Sequence, residues 1–467
     1  MTPPRIAFVG AGSTVFTRAL AGDLLLTPEL EGATLVLHDI DAERLALSER
    51  VVRRLVATLG ATATVVATLD RERAFDGATV VFDTIQVGGF RPATVTDFEV
   101  PKRFGLVQTI GDTLGIGGIF RAVRTVPVML DIVRDMERLC PDALHLNYVN
   151  PMAMVCWALS ELSPVRTVGL CHSVQGTVEQ LADDLGLPAA EIDYRAAGIN
   201  HMAFYLKLEH RGEDLYPRLH ELARSGRVPD WNRVRYDVLR RLGYFVTESS
   251  EHFAEYVPWY LKRSRPDVRE ALNVPLDEYP GRCRVYEVAA GFVEQELDAP
   301  GSVDPRELRA ALDAAAIPVM QRSIDHTVAS LEGLRRVERS HEYGATIVRS
   351  LVTGTPSVVY GNVPNHGLLP DLPEGCSVEV PCVVDRNGVQ PTAVGTLPPQ
   401  LAALMRTNVN VQQLVVAALV EGRRDHLVHA ALLDPRTAME LVPDEIEAMV
   451  DALIEAHGDL IPEALRG

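Results

Sequence analysis

A short apolar run, Arg5 to Val9, passes directly into Gly10-Ala11-Gly12-Ser13 and then into TVFTRALAGDLLL, where apolar residues recur at three- and four-residue spacing. A strand, a glycine turn and a helix in that order aim the helix's free backbone N–H groups at one point, which makes a cradle for phosphate. Gly10 permits the tight turn and Gly12 lets a pyrophosphate approach the backbone; Ser13 and Thr14 complete the candidate cradle. Val15 stands where the third glycine of the dinucleotide fingerprint belongs, so the match is partial. The next run, ATLVLHDID, reads as a second strand ending near Asp39, whose carboxylate can hold both ribose hydroxyls and would repel a 2'-phosphate. That favours NAD over NADP, with a turn-starting aspartate as the other reading.

The alternation continues. An amphipathic helix from Ala42, a third strand TATVVAT, and a helix and fourth strand in ERAFDGATVVFDTIQVGG predict a parallel sheet with helices on both faces. Gly88 and Gly89 are expected to close the fourth strand, where the nicotinamide half of a cofactor would lie. Five glycines between Asp97 and Gly118 suggest a close-fitting loop over the cofactor, with Asp112 in its middle as either a site residue or a cap. Ile119 to Leu139 predicts a helix with a kink at Pro127.

Cys171 and His201 each end an apolar, strand-like run (RTVGL and YRAAGI), the place where chains leave a sheet and ligand sites gather. A thiolate and an imidazole there can meet at one metal ion, although by spacing alone a Cys and a His this far apart are more often buried, unrelated side chains. Asn150 precedes Pro151, which disfavours the helical region and lets its amide point out of the fold. Further on, GYFVTESSEHFAEYVPWYLK gathers Glu248, Glu251, His252, Glu255 and Tyr256 among aromatic residues, a mixture that suits a site lining better than a solvated face. Leu297 to Arg339 predicts mostly helix, residues 357–398 antiparallel strands, and the last sixty or so residues helices able to pack on a partner subunit.

With 467 residues the chain has room for two domains, expected as 1–195 (a Rossmann-like dinucleotide domain) and 196–467 (an α+β domain). A net charge of −18 argues against nucleic-acid or anionic-membrane partners. No apolar run approaches spanning length and MTPPRIAFVG does not read as a secretory leader. Six scattered cysteines fit a reducing cytoplasm.

Taken together, GAGSTVF, LHDID, GDTLGIGGIFRA, NYVNPMAM, GLCHSVQGT, GINHMAFY and GYFVTESSEHFAEY resemble glycoside hydrolase family 4, the NAD- and metal-dependent glycosidases, and most closely its melibiase-type α-galactosidases. Most glycosidases cleave with a pair of carboxylates, and this family is an exception. The resemblance implies a second domain like that of lactate and malate dehydrogenases, and a homo-oligomer, dimer or tetramer. It makes Cys171 and His201 ligands of a divalent ion, usually manganese, where ligand softness alone would choose zinc. It makes Asn150 a substrate contact and Asp112 an acidic support of the catalytic base. His172 stands where other branches carry an aspartate proton donor, and Tyr256 is the expected base, with Glu248 and His252 behind it. The implied chemistry oxidises sugar carbon 3 with NAD, removes the proton on carbon 2, expels the glycosidic oxygen, adds water and returns the hydride. An unphosphorylated α-galactoside is the expected substrate. An α-glucosidase or α-uronidase of the same chemistry, or a plain dehydrogenase, fits the same motifs.

Overall fold

Short runs of aliphatic residues buried on both faces build the first half of the sheet, the pattern of a parallel sheet sandwiched by helices. The computed structural model describes residues 3–317, 321–332, 334 and 336–467. Strands β1 (Arg5–Val9), β2 (Thr34–His38), β3 (Thr64–Thr68), β4 (Val80–Asp83), β5 (Leu144–Asn147) and β6 (Thr167–Gly169) lie in the order β3-β2-β1-β4-β5-β6, all parallel. This is the doubly wound order whose ligands bind beyond the carboxyl ends of the strands.

The same sheet then changes direction. The hairpin β7 (Ile192–Ile199) and β8 (Met202–His210), the short β9 (Glu213–Asp214), and the late strands β10 (Ser357–Pro364), β11 (Ser377–Asp385) and β12 (Gly388–Pro391) are all antiparallel. They extend the order as β6-β10-β11-β7-β8-β9, with β12 on β11. The late strands therefore slip between β6 and β7, and the expected division at 195/196 falls inside β7. One apolar core runs through both halves of this sheet and the helices packed on it.

Three expectations change in the structure. Strand β4 ends at Asp83, so Gly88 and Gly89 belong to the tight turn that follows it, both at positive φ. Asp97 is not in a loop: Val95–Arg103 is a helix, and the loop runs only from 104 to 114. Gly115, Gly117 and Gly118 start the helix Gly115–Leu139, which continues through Pro127. Glycine is needed at 117 and 118 because a Cβ would meet Gly111 O at 2.4 Å and the Thr113 carbonyl carbon at 2.6 Å. Dense glycine there marks close packing of a helix on the preceding loop.

The predicted helical stretch 297–339 contains Pro305–Ala315 and Gln321–Glu332; residues 318–320, 333 and 335 lie outside the described residues. Among the described residues no helix is long and apolar enough to cross a membrane.

Candidate metal and cofactor site

Strand β6 ends at Gly169 and delivers Cys171, while the β7–β8 turn delivers His201. His201 takes φ +62°, a left-handed conformation that costs a non-glycine residue energy and is retained where the fold needs the side chain in one place. The result is Cys171 Sγ at 3.3 Å from His201 Nε2. Glu248, just before the helix Ser250–Tyr256, brings Oε2 to 3.2 Å from the same nitrogen. Ligand atoms of these three residues all lie within 4.8 Å of one another, and all three side chains are largely buried.

The electrostatics of this trio suit a cation. Burial, then Glu379 and Glu248, pushes the Cys171 thiol well above its ordinary value. Burial also drives the His201 imidazole down, to about 4, so it is neutral at pH 7, as a metal ligand must be. For Glu248 burial opposes ionisation, but His201 and His252 outweigh it and hold the carboxyl well below its usual range. A thiol, a neutral imidazole and a carboxylate converging in one buried cluster offer a divalent ion a fitting donor set, and the ion would make the thiolate favourable.

His201 Nδ1 faces the other way. Thr113 Oγ1 donates to Asp112 Oδ1 at 2.6 Å and lies 3.1 Å from His201 Nδ1, so the hydroxyl accepts from an Nδ1–H. This assignment leaves the Nε2 lone pair toward Cys171 and Glu248. Carboxylate, hydroxyl, imidazole and metal position thus form one chain of the kind that orients ligating histidines. Tyr256 OH also sits behind the ring, 3.3 Å from Nδ1, and is almost wholly buried. Burial pushes its phenol well above 10. The phenol thus lies at Nδ1, whereas Cys171 and Glu248 lie at Nε2 of the same ring.

Asp112 links this chain to Asn150. Its Oδ2 accepts from Asn150 Nδ2 at 3.2 Å, while the Asn150 carbonyl accepts from Arg121 Nε at 3.3 Å. Burial raises the Asp112 carboxyl, but Arg121, His252 and His201 more than offset this and keep it ionised. Glu255 fixes the loop that carries it: one carboxylate accepts the N–H groups of Thr109 at 2.8 Å, Ile110 at 3.2 Å and Gly111 at 2.8 Å.

His172, next to Cys171, is different in kind. Its side chain is 63% exposed, with Nδ1 3.5 Å from Glu342 Oε1. Crowding by the surrounding walls disfavours its charge, but Glu342 and then Glu248 raise its pKa to about 9. It is a protonated, accessible imidazole beside a buried ligand cluster.

The cradle lies along the same sheet edge. Gly10 has φ +77°, and a Cβ there would meet Ile85 N at 2.8 Å; a Cβ at Gly12 would meet Asp39 Oδ2 at 2.7 Å. Asp39 Oδ2 accepts from Gly12 N at 2.7 Å, tying the carboxylate to the turn and leaving lone pairs for a diol. Ser13 precedes the helix Thr14–Leu25, and Thr14 Oγ1 lies 3.3 Å from Ser48 Oγ. Gly88 turns at φ +77° beyond β4.

Sequence reasoning brings Cys171, His201, Asn150 and Asp112 into one neighbourhood with His172 and Tyr256, and the structure keeps them together. It misses Thr113, Glu342 and Glu379, and it holds Glu248 as a reserve base instead of a ligand. The signal for Glu248 is its crowding with His252 and Tyr256, which carries no metal-ligand spacing of its own.

Comparisons with known proteins bear on the family and the fold. The description "Family 4 glycosyl hydrolase" matches residues 5–187, and its C-terminal domain matches residues 196–437. An alpha-galactosidase of Bacillus subtilis (strain 168) is 42% identical over 460 residues, covering 98% of this chain and 99% of that protein. An alpha-galactosidase of Rhizobium meliloti (strain 1021) is 34% identical over 463 residues, covering 98% and 89%. Among solved structures, a 6-phospho-alpha-glucosidase from gut microorganisms, in complex with NAD and Mn2+, superimposes with a TM-score of 0.75 at 20% identity, covering 99% of this chain and 100% of that one. At that identity the likeness is one of fold. A Rossmann-type edge, a cysteine and histidine brought together at its end, and matches that run through both halves of the chain establish that it belongs to glycoside hydrolase family 4.

Proposed function

We propose that this enzyme is an α-galactosidase that hydrolyses unphosphorylated α-galactosides of the melibiose type with the help of NAD and a divalent ion, Mn2+. The observation that carries the reading is the buried Cys171, His201 and Glu248 trio at the same sheet edge as the Gly10–Gly12 cradle. Cys171, His201 and Glu248 would hold the ion; Gly10, Gly12, Ser13, Thr14, Asp39 and Gly88 would hold the dinucleotide. Bound there, the two supply a reversible hydride acceptor for sugar carbon 3 and a Lewis acid.

The chain's own groups do the rest. Asn150 binds a sugar hydroxyl and keeps the ring beside Asp112. Asp112, ionised, accepts the proton of carbon 2; this role passes to it from Tyr256, which instead helps Thr113 hold His201. His172, protonated at neutral pH through Glu342, gives its proton to the leaving glycosidic oxygen as the bond at carbon 1 breaks. Residues 1–195 supply the dinucleotide cradle, the sugar-facing Asp112, Asn150 and His172, and the ligand Cys171, while residues 196–467 supply the ligands His201 and Glu248. Six free cysteines support a reducing, cytoplasmic setting.

The test is a panel of nitrophenyl glycosides assayed with and without NAD and Mn2+. Hydrolysis of the α-galactoside should require both, and product formed in heavy water should carry deuterium at carbon 2. Undiminished hydrolysis after both are stripped, or steady accumulation of NADH, would refute the reading.

A further inference from the structure

Asp97 lies outside the site described above, on the helix Val95–Arg103, and is buried to 2% exposure. Its Oδ1 accepts from Arg124 Nη1 at 3.0 Å and from His457 Nε2 at 2.9 Å, and its Oδ2 accepts from Arg124 Nη2 at 2.5 Å. Its backbone carbonyl accepts from Gln108 Nε2 at 2.7 Å. A buried carboxylate with this many fixed donors is costly to assemble, and an apolar cluster would hold the same helices at least as well. What the polar arrangement adds is direction, since a bidentate fork tolerates one relative orientation of its elements.

Each arm ends at an element of the proposed active site. Arg124 Nε donates to Val87 O at 3.2 Å, at the start of the turn through Gly88. Gln108 belongs to the loop that carries Asp112, and its Oε1 accepts from Gly117 N at 3.1 Å, at the helix start. Arg121, one helical turn before Arg124, is the residue on the Asn150 carbonyl. His457 ends the helix Pro443–His457 and stacks on Phe120 at 5.9 Å between ring centroids. Just beyond it, Leu460 Cδ1 stands 3.0 Å from where a Gly88 Cβ would be, so this segment closes directly on the Gly88 turn.

We propose that Asp97, Arg124 and His457 are positioning residues that set the Gly88 turn against the dinucleotide, so that a helix some 360 residues away in sequence fixes the cofactor geometry. The inference rests on the reading that the Gly88 turn receives the nicotinamide half of NAD. Through Arg124 the carboxylate orients Val87 O; through His457 it holds the 457–460 segment on the far side of the same turn. His457 leads to that turn and away from Cys171, His201 and Glu248, so cofactor and metal binding should separate.

The experiment compares His457→Ala, His457→Gln and Asp97→Asn with the wild-type holoenzyme. NADH affinity is read by fluorescence titration, Mn2+ affinity by the EPR signal of free Mn2+, and folding by the melting temperature. His457→Ala should weaken NADH binding and lower kcat/KM by on the order of 10- to 100-fold, the cost of a small misplacement, with Mn2+ affinity unchanged. His457→Gln, whose amide N–H can replace Nε2–H, should recover most of both losses. Asp97→Asn should fall at least as far as His457→Ala wherever it folds. Wild-type NADH affinity and kcat/KM in His457→Ala, with only a lower melting temperature, would overturn the positioning role. Wild-type protein that binds no NADH would instead overturn the functional reading beneath it.

Discussion

Thr113→Val isolates one link of the chain that orients the metal-ligand histidine, because valine keeps the shape of threonine and deletes only its hydroxyl. In the wild type that hydroxyl gives its proton to Asp112 Oδ1 at 2.6 Å and accepts from His201 Nδ1 at 3.1 Å. Tyr256 OH, 3.3 Å from Nδ1, can take over part of the second bond, so the imidazole is loosened and not freed. Losing the outer partner of a ligating histidine costs about 10- to 100-fold in metal affinity, or about 1.4 to 2.7 kcal/mol. The unpartnered Asp112 oxygen adds a separate loss of about 1 to 3 kcal/mol in folding stability. Mn2+ titration followed by EPR, with a melting curve on the same samples, separates the two. Thr113→Ser should restore affinity, and Tyr256→Phe, which removes the longer contact, should cost less than Thr113→Val. Wild-type Mn2+ affinity in Thr113→Val, or a larger loss in Tyr256→Phe, would refute the relay.

Glu248→Gln keeps the side-chain volume and removes one of the two anionic donors of the trio, so Mn2+ affinity should fall by at least about tenfold, measured by the same titration. Gly12→Ala should abolish NADH binding measured by fluorescence while Mn2+ still binds, since the added Cβ would lie 2.7 Å from Asp39 Oδ2. His172 acts while protonated, so kcat should hold below pH about 9 and decline as pH rises through it; Glu342→Gln, which removes the nearest raising charge, should bring that decline toward 6.5. Asp112→Asn should stop incorporation of deuterium at carbon 2, read by NMR of sugar recovered from heavy water, whereas Tyr256→Phe should only slow it.

The parallel half of the fold is legible in the sequence because each strand is a short aliphatic run between a turn and an amphipathic helix, and burial on both faces demands that composition. Cys171 and His201 are legible for the same reason: each follows such a run. The two helices that share residues 97–118 are not, because the five glycines from Gly105 to Gly118 suggest one open loop, whereas Gly117 and Gly118 serve the tight approach of a helix to the preceding loop. Tyr256 is recognisable as part of the site but its orientation is not, since nothing local to the helix Ser250–Tyr256 tells whether the phenol faces the ligand atoms or the back of His201. Asp97 escapes notice because its partners, Arg124 and His457, come from distant helices with no motif between them.

The same distance in sequence decides where the metal ligands meet. β6 and β7 are three strand spacings apart, about 14 Å across the sheet, because β10 and β11 lie between them. The joins are narrow: β10 meets β6 through Asn362 and Gly169, and β11 meets β7 through Glu379 and Gly198. Gly169 stands two residues before Cys171, and Gly198 three before His201. Asn362 Nδ2 lies 3.3 Å from Gly169 O and 3.4 Å from Glu379 Oε1, so one amide spans both joins. Glu379 is fully buried, and burial with Glu248 nearby raises its carboxyl to about 8, which keeps it neutral at pH 7. An apolar residue would fill this place without the desolvation cost. A neutral carboxyl hydrogen-bonded to the asparagine that grips β6 gives the two joins a defined spacing. Cys171 and His201 can then turn over the inserted strands and meet at 3.3 Å.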